Sequence, residues 1–261
     1  MGSSMPNKPA SGGESVKIDL NCDMGESFGH YTLGQDEAIM PHITSANIAC
    51  GLHAGDPVVM ARTVRLAKAY GVAAGAHPGW PDLQGFGRRF MSLSAAETEA
   101  MILYQIGALA AFVRAEGLEL THLKPHGALY NQAAKDRELA FAVAHALQKF
   151  SKDLILVGLA GSALIEAGTE LGLRVANEAF PDRAYNPDGT LLGRDLPGAL
   201  LESPERVAAH ALALATEGVN FGGRQVRVDT LCVHGDHPNA AENAQRIREL
   251  LAENRVGVAR L

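Results

Sequence analysis

The sequence predicts an α/β fold, organised as a single (β/α) barrel of about seven parallel strands. Two observations carry this prediction. From residue 16 onward, seven short apolar runs alternate with longer segments of helical periodicity, which is the pattern of repeated βα units. Polar residues also cluster at the carboxyl ends of nearly all these runs. An open doubly wound sheet, the competing architecture, would concentrate them beside one switch point, so the distribution favours a barrel.

The predicted strands are rich in β-branched residues and Leu and lack clean alternation, as expected of parallel strands buried on both faces. Helices separate them, and two helices have clear start signals. Asp56 and Pro57 form an N-cap and a first helical residue, and Ser94 with Glu97 forms a capping-box pattern. The predicted strands span 16–22, 45–51, 71–77, 120–126, 154–160, 173–179 and 228–234, and the helices about 57–70, 94–116, 136–150, 161–171, 204–217 and 239–253.

The chain is expected to contain one domain. Residues 1–15, MGSSMPNKPASGGES, lack the basic head and apolar core of a secretory signal and predict a flexible leader. No break in composition follows, so residues 16–261 are expected to form a single catalytic barrel, in keeping with the roughly 250 residues of such domains. We expect one barrel rather than two small domains.

Composition excludes several classes of function. The 23 basic and 29 acidic residues give a net charge of −6, so a non-specific nucleic-acid binder is not expected. No apolar run approaches the roughly 20 residues of a membrane helix, so no membrane association is expected. Three cysteines without a CxxC pair predict buried free thiols and a cytoplasmic protein.

Histidines are concentrated where the predicted strands end. Five of the ten histidines occupy such positions: His53, His77, His126, His234 and His237. In a parallel ring these side chains would approach one common mouth, where perturbed titratable groups tend to gather. The alternative is five independent structural histidines, each hydrogen-bonded in its own loop. The equivalence of the five positions favours a common site.

Asp23 and Lys124 are the charged groups that most strongly indicate chemistry. Asp23 follows an apolar strand and precedes Gly25, so its carboxylate can reach the mouth as a general base or a metal ligand. Lys124 ends a mainly apolar strand, where Lys is rarely buried without a partner, and stabilisation of an anion accounts for it. The structural alternatives are a loop aspartate that caps a helix and a buried Lys–Glu or Lys–Asp pair.

Two common local motifs are absent from the sequence. No Gly-Lys dipeptide occurs, so there is no P-loop, and no HExxH zinc motif is present. The spacings His53-Ala-Gly-Asp56 and His234-Gly-Asp236-His237 offer possible metal ligands, but neither is diagnostic. The sequence motifs alone therefore do not decide whether the protein binds a metal.

Six segments, in order, resemble one known family. They read KIDLNCDMGESFG, SANIACGLHAGDP, GAHPGWPDLQGFGRR, LKPHGALYN, EAFPDRAYNPDGTL and CVHGDHPNA, and they span about residues 16–240. This pattern resembles the LamB/YcsF family. The resemblance implies a glycoside hydrolase/deacetylase-like barrel. It also implies the role of the A subunit in an ATP-dependent 5-oxoprolinase, a hydrolase that cleaves 5-oxo-L-proline to L-glutamate with ATP as co-substrate and the B and C subunits as partners.

That function gives the strand-end residues specific expected roles. Opening an unstrained lactam is unfavourable near neutral pH, and one ATP-coupled route phosphorylates the lactam oxygen before water adds to the activated carbon. Asp23 is then the expected general base, Lys124 the anion-stabilising group, and His126 or His77 the acid. The expected substrate-binding residues are Asn21, Asn47, His53, Glu178, Arg183 and His234. A divalent metal, such as Mg accompanying ATP, would be held, if present, by Asp23, His53, His77 and His234.

Two rival functions remain at this level. The first is a metal-dependent amidohydrolase or deacetylase that uses those four ligands around a divalent ion. The second is a non-catalytic binding subunit whose partners hold all the chemistry.

Overall fold

Seven parallel strands close into a barrel, as the sequence predicts. The chain is described here from a computed structural model, which covers residues 16–193, 196–201, 203–221, 223–235 and 239–261. The predicted leader, residues 1–15, and the strand-end histidine His237 lie outside the described residues. The strands are β1 (Lys17–Met24), β2 (Ser45–Ala49), β3 (Ala73–His77), β4 (Leu120–Leu123), β5 (Ile155–Leu159), β6 (Arg174–Ala179), β7 (Val219–Phe221), β8 (Arg224–Val226), β9 (Thr230–Val233) and β10 (Gly257–Val258).

Seven of these strands form the ring. Their order is β1–β2–β3–β4–β5–β6–β9, and β9 pairs with β1 to close it. All the pairings in the ring are parallel. β10 extends the sheet at the start of β1, and β7 and β8 form a separate antiparallel hairpin. The seven predicted strands are therefore the seven strands of the ring.

Helices connect the strands and cover the outside of the ring. Asp56 caps one of them by accepting hydrogen bonds from the backbone N–H groups of Val58 and Val59, and Ser94 forms a complete capping box with Glu97. Both start signals in the sequence are thus confirmed. The helices are α1 (Asp36–Ile39), α2 (Pro57–Tyr70), α3 (Ala95–Ala115), α4 (Gly127–Ala133), α5 (Arg137–Phe150), α6 (Ala163–Glu170), α7 (Pro204–Glu217) and α8 (Ala240–Glu253).

α3 is the longest helix, at 21 residues, and its length and apolar composition would be sufficient for a membrane span. Its sequence is not an unbroken apolar run, because Glu97, Glu99 and Arg114 interrupt the pattern. The side chains of Ile102, Ile106 and Leu109 are completely buried. They belong to the apolar layer between the ring and its outer helices, so α3 packs one apolar face against the barrel.

The inside of the barrel is polar. Along β1 the side chains of Asp19 and Asn21 bond to residues of other strands across the ring, whereas Leu20 and Cys22 belong to the apolar layer outside it. This is the period-two alternation of a strand, with polar residues inward. Barrels of this class usually fill their interior with Val, Ile and Leu. The alternation was missed in the sequence because both sets of side chains are buried.

Candidate active site

The deepest polar layer is centred on Asp19. Its Oδ1 accepts hydrogen bonds from Thr44 Oγ1 (2.7 Å) and Ser45 Oγ (2.6 Å), and its Oδ2 accepts one from Thr230 Oγ1 (2.5 Å). Burial raises the pKa of Asp19, although the hydrogen bonds from Ser45 and Thr230 oppose the rise. Three hydroxyl donors thus stabilise one carboxylate below the site.

The next layer joins two asparagines to the site above. Asn47 Nδ2 donates to Asn21 Oδ1 (2.7 Å) and to Asp23 Oδ1 (2.9 Å), and Asn21 Nδ2 donates to Glu178 Oε1 (2.9 Å). His122 Nε2 lies 2.8 Å from Asn47 Oδ1, and because that oxygen only accepts, Nε2 carries the proton. Burial, aided by the nearby Lys124, lowers the pKa of His122 to about 3, so this ring is neutral.

Gly75 makes room for this layer. It pairs with His122 in the register of β3 and β4. A Cβ atom at position 75 would overlap the imidazole of His122. The small residue is therefore required by the close approach of the ring to the strand, and not by backbone conformation.

Lys124 is the cation of the barrel interior. Its Nζ lies 2.8 Å from Glu178 Oε1 and 3.0 Å from Asp23 Oδ1, and it also contacts Cys232 Sγ at 3.1 Å. Burial disfavours its charge, but Asp23 and Glu178 outweigh burial and hold the pKa of Lys124 well above its ordinary value. Lys124 is thus a charged ammonium between two carboxylates, so the buried ion pair that the sequence left as an alternative is present.

Asp23 connects Lys124 to the histidines. Its Oδ1 faces Lys124, and its Oδ2 lies 3.3 Å from His77 Nε2. Burial alone would raise its pKa, but His77 and Lys124 hold the pKa of Asp23 well below its usual range. Its side chain is 15% exposed, against 3% for Lys124, so Asp23 is the more accessible of the two to a molecule in the cavity.

His77 and His126 have defined tautomers. His77 Nδ1 lies 2.7 Å from the carbonyl oxygen of Lys124, and His126 Nε2 lies 2.8 Å from that of Phe86. Because a carbonyl only accepts, each of these nitrogens carries a proton. The two remaining nitrogens, His77 Nε2 and His126 Nδ1, face each other at 3.0 Å. Two lone pairs at this distance require a shared proton or a cation between them.

A possible metal site follows from the same two nitrogens. Glu26, His53, His77 and His126 each offer one ligand atom, all within 4.8 Å of one another, and all four residues are buried. His53 stacks on His126 with ring centroids 3.8 Å apart, and neither nitrogen of His53 has a hydrogen-bond partner. Burial lowers the pKa of His53 well below its ordinary value, as it lowers that of His126 to about 3. Neutral imidazoles beside a carboxylate fit a divalent cation.

Glycines allow the rings to approach. A Cβ atom at Gly87 would lie 2.8 Å from the Cβ of His53 and 2.9 Å from His126 Cδ2, and one at Gly79 would lie 2.6 Å from His53 Nδ1. Gly87 also has a positive φ of 64°, which favours glycine. The GAHPGW segment therefore supplies His77, and Gly79 and Gly87 of the GAHPGW and GFGRR segments leave space for the rings of His53 and His126.

The site opens into a cavity of about 520 Å³ at the carboxyl ends of the strands. Asp23, Glu26 and His77 lie on its wall, with Lys124 and His126. Arg183, Tyr130 and His234 also line it. Arg183 donates to the carbonyl of Leu192 (2.5 Å). A volume of this size is typical of small-molecule sites.

The predicted site residues fall into three groups. Those predicted to be catalytic come together on the cavity wall: Asp23, His77, Lys124 and His126. Of the predicted substrate-binding residues, Arg183 and His234 line the cavity, while Asn21, Asn47, His53 and Glu178 are buried around the site and bond or stack among themselves and with its members. Of the predicted metal ligands, His53 and His77 belong to the possible metal site, Asp23 adjoins it, and His234 pairs instead with Asp182.

Some roles within the site were not predicted from the sequence. Glu26 and His126 were not predicted as metal ligands, and Asp182 was not singled out as the partner of His234. Glu26 follows Asp23 in the same loop, so a reading of NCDMGE as a two-carboxylate segment could have found it. The pairing of Asp182 with His234 spans 52 residues and leaves no local signal.

A closed parallel barrel whose strand ends bring carboxylates, a lysine and histidines around one cavity has the form of a (β/α)-barrel enzyme. The sequence profile of the LamB/YcsF family matches residues 18–261. The chain belongs to the LamB/YcsF family, and the resemblance seen in the sequence is confirmed.

Relatives and solved structures agree with this assignment. The A subunit of 5-oxoprolinase from Pyrococcus abyssi is 55% identical over 250 residues, covering 94% of this chain and 98% of the relative. The crystal structure of a lactam utilization protein from Thermus thermophilus has a TM-score of 0.87 at 51% identity, covering 94% of this chain and all of that one. The catalytic domain of a peptidoglycan N-acetylglucosamine deacetylase from Eubacterium rectale, at 13% identity and a TM-score of 0.50, covers 97% of this chain and 94% of that one and shows a shared fold only.

Proposed function

We propose that this chain is the lactam-opening subunit of an ATP-dependent 5-oxoprolinase, a hydrolase that converts 5-oxo-L-proline to L-glutamate. The observation that carries the proposal is the Lys124–Asp23–His77 chain of contacts on the wall of the cavity. A charged carboxylate held at such a position is suited to activating water. The relatives named as 5-oxoprolinase subunits and the lactam utilization protein support the choice of a lactam as substrate.

ATP enters the proposal as co-substrate of the whole assembly. The chain has no Gly-Lys dipeptide and hence no P-loop. The word subunit in the names of the relatives supports partner chains, which we propose are the two other subunits, B and C. Phosphorylation of the lactam oxygen would fall to the assembly, with Mg accompanying ATP, and ring opening to this chain. Three buried free thiols are consistent with a cytoplasmic location.

Asp23 is the proposed general base. A carboxylate with a lowered pKa is a weak base, so it removes a proton from water only where that water is made more acidic. The possible metal site adjoins it, because His77 Nε2 is 3.3 Å from Asp23 Oδ2. A divalent cation held by Glu26, His53, His77 and His126 would, when bound, lower the pKa of a water molecule. Asn47 and Lys124 fix the other carboxylate oxygen of Asp23.

Lys124 is proposed to hold Asp23 ionised and in position. The role expected from the sequence was direct stabilisation of an anion. Two carboxylates already surround this ammonium, and its side chain is 3% exposed, so the geometry favours the holding role. Cys232, beside Lys124, is not proposed as a nucleophile, because burial raises the pKa of its thiol well above the ordinary value despite the nearby cation.

The rival function is a metal-dependent amidohydrolase without ATP. The possible metal site of one carboxylate and three histidines is the specific observation in its favour. Under that function the isolated chain with a divalent metal would hydrolyse an amide or lactam with no nucleotide present. A binding subunit without chemistry would instead leave turnover unchanged when Asp23 is replaced.

The decisive experiment compares three mixtures supplied with 5-oxoproline, Mg and ATP. They are the chain alone, the partner subunits alone, and all subunits together, each assayed for glutamate by chromatography. The proposal predicts glutamate from the complete mixture only. Glutamate from the chain alone, if it persists when ATP is left out of that mixture, would support the amidohydrolase, and glutamate from the partners alone would remove the chain from the chemistry.

A further inference from the structure

A second histidine–carboxylate pair lies beside the cavity, with His234 on the cavity wall, and is separate from the possible metal site. His234 directly follows β9 and Asp182 follows β6. His234 Nδ1 is 2.6 Å from Asp182 Oδ2, and the two side chains are 10% and 7% exposed. An ionised carboxylate only accepts, so Nδ1 carries a proton. The nitrogen that remains for a bound molecule is therefore Nε2.

The pair lies across the ring from His77 and His126 and next to Asp23, because β9 pairs directly with β1. β9 is separated from β3, which ends in His77, by β1 and β2. It is separated from β4, which precedes His126, by β5 and β6. All three histidines line the same cavity of about 520 Å³. A small ring bound in the cavity would thus meet His77 and His126 on one side and His234 on the other.

The orientation of His234 is fixed by its surroundings. Its ring stacks on Phe180 with centroids 5.3 Å apart and an interplanar angle of 22°. The backbone N–H of Phe180 donates to Tyr185 Oη at 2.6 Å, which ties this loop down. With one face stacked and Nδ1 bonded, the imidazole is held in a single orientation. Such preorganisation is what a proton-transfer group requires.

The proposed reaction still lacks an acid for the leaving nitrogen. His126 was an expected acid, but its Nε2 bonds to the carbonyl of Phe86 and its Nδ1 faces His77 Nε2 at 3.0 Å, so both nitrogens are already engaged. His77 and His126 are also the residues that would hold the cation. Asp23 is already assigned to removing the proton from water. The leaving nitrogen of a lactam nevertheless needs a proton, because an amide anion is a very poor leaving group.

We propose that His234, oriented by Asp182, donates the proton to the ring nitrogen of the lactam as the C–N bond breaks. This inference rests on the proposed function. Water adds to the carbon of the O-phosphorylated lactam and gives a tetrahedral adduct that bears a hydroxyl, the phosphate oxygen and the ring nitrogen. His234 acts here as the imidazolium, whose charge Asp182 balances. Transfer of its Nε2 proton to nitrogen, with cleavage of C–N and loss of the hydroxyl proton to solvent, gives the amine, a γ-glutamyl phosphate and neutral His234. A second water converts that product to glutamate and phosphate.

The same adduct has a second route of collapse. Cleavage of its carbon–oxygen bond to phosphate expels inorganic phosphate and regenerates the lactam, whose carbonyl oxygen now comes from water. Phosphate is a far better leaving group than an unprotonated nitrogen. His234 therefore decides whether a phosphorylated lactam is opened or returned, and so whether ATP hydrolysis yields glutamate.

The test uses the complete assembly in oxygen-18-labelled water, with His234→Gln and Asp182→Asn variants. Glutamate release is expected to fall by about 10²-fold or more in His234→Gln, the usual contribution of general acid catalysis. At the same time, oxygen-18 should enter unreacted 5-oxoproline faster than with the partner subunits alone. Asp182→Asn should show the same two changes to a smaller extent. His210→Gln is the matched control, since His210 bonds the neighbouring Pro181 carbonyl and lies outside the cavity.

Each outcome decides the proposal. The proposal is supported if the His234→Gln assembly releases little glutamate but incorporates oxygen-18 into 5-oxoproline faster than the partner subunits alone. Only a folded chain that still adds water to the lactam gives this combination. Exchange at the background level, or glutamate release like that of His210→Gln, overturns it. If the wild-type assembly releases no glutamate, the proposed function itself fails, and that result is distinct from a failure of the His234 variant.

Discussion

Replacing Lys124 with Met tests whether one ammonium neutralises the interior of the barrel. Lys124 Nζ lies 2.8 Å from Glu178 Oε1 and 3.0 Å from Asp23 Oδ1, and the side chains of Lys124 and Glu178 are almost completely buried. Met preserves the stem of the side chain but leaves two carboxylates without a cation. Removing one partner of a buried ion pair costs about 3–5 kcal/mol.

The expected effect on melting follows from that free energy. A change of 1 kcal/mol shifts the Tm of a domain of about this size by about 2–4 °C, so Lys124→Met should melt roughly 6–20 °C below the wild type at pH 7. Scanning calorimetry measures this directly. Lys152→Met, at an exposed position, is the matched control and should leave Tm unchanged.

A double variant separates charge from packing. Lys124→Met with Glu178→Gln removes one of the two unpaired carboxylates and should melt above Lys124→Met alone. If Lys124→Met melts within about 2 °C of the wild type, the ammonium is not the stabilising counter-charge inferred here. A double variant that melts no higher than the single one would refute the reasoning about Glu178.

Three further predictions concern the layers around Lys124. The pKa of His122 is about 3 in the folded chain, against 6.5 ordinarily, so its contribution to stability is complete above pH 6.5 and is lost as the pH falls from there toward 3. At pH 5 the loss is about 2 kcal/mol. In urea unfolding, the free energy of unfolding of His122→Asn should therefore fall from pH 7 to 5 by about this much less than that of the wild type. An equal fall in the two proteins would contradict the neutral ring. Protein purified without chelator should contain a divalent metal by elemental analysis, and His53→Ala should lose most of it while His210→Gln keeps it; a metal-free wild type, or full occupancy in His53→Ala, would count against the possible metal site. Gly75→Ala should lower stability by about 1–3 kcal/mol because its methyl group meets the His122 ring, whereas Gly107→Ala, with open space at its Cβ, should not; equal melting of the two variants would contradict this packing.

The ring of strands was predictable because its signals are local. Runs such as LILVGLA and VDTLCVH are apolar and bounded by polar or glycine residues, and Asp56-Pro57 marks a helix start by itself. α4 was missed because it begins directly after a strand end, at Gly127, and glycine is a poor helix former. Gly127 has a φ of 54° in the structure. The β7–β8 hairpin and β10 were also missed, since they are too short for periodicity to show.

The site was predictable as a gathering of residues but not as a set of contacts. Asp23, His77, Lys124 and His126 come together because each ends or follows a parallel strand, and a ring brings such ends to one mouth. Pairings across the ring depend on which strands face each other, and a sequence does not state this. Asn21 and Asn47 were expected to bind substrate, yet their amides bond to Glu178 and Asp23, and substrate contact through them stays a prediction.

The central claim is that the lactam ring opens at Asp23 in this barrel. The most direct measurement is the rate of glutamate release from 5-oxoproline and ATP by the partner subunits joined to Asp23→Asn, compared with the exposed control Asp153→Asn. With complexes shown to assemble equally by size-exclusion chromatography, we expect Asp23→Asn to be slower by about 10²–10⁴-fold and Asp153→Asn to match the wild type. Equal rates for the two variants would contradict the claim and place the chemistry on another subunit.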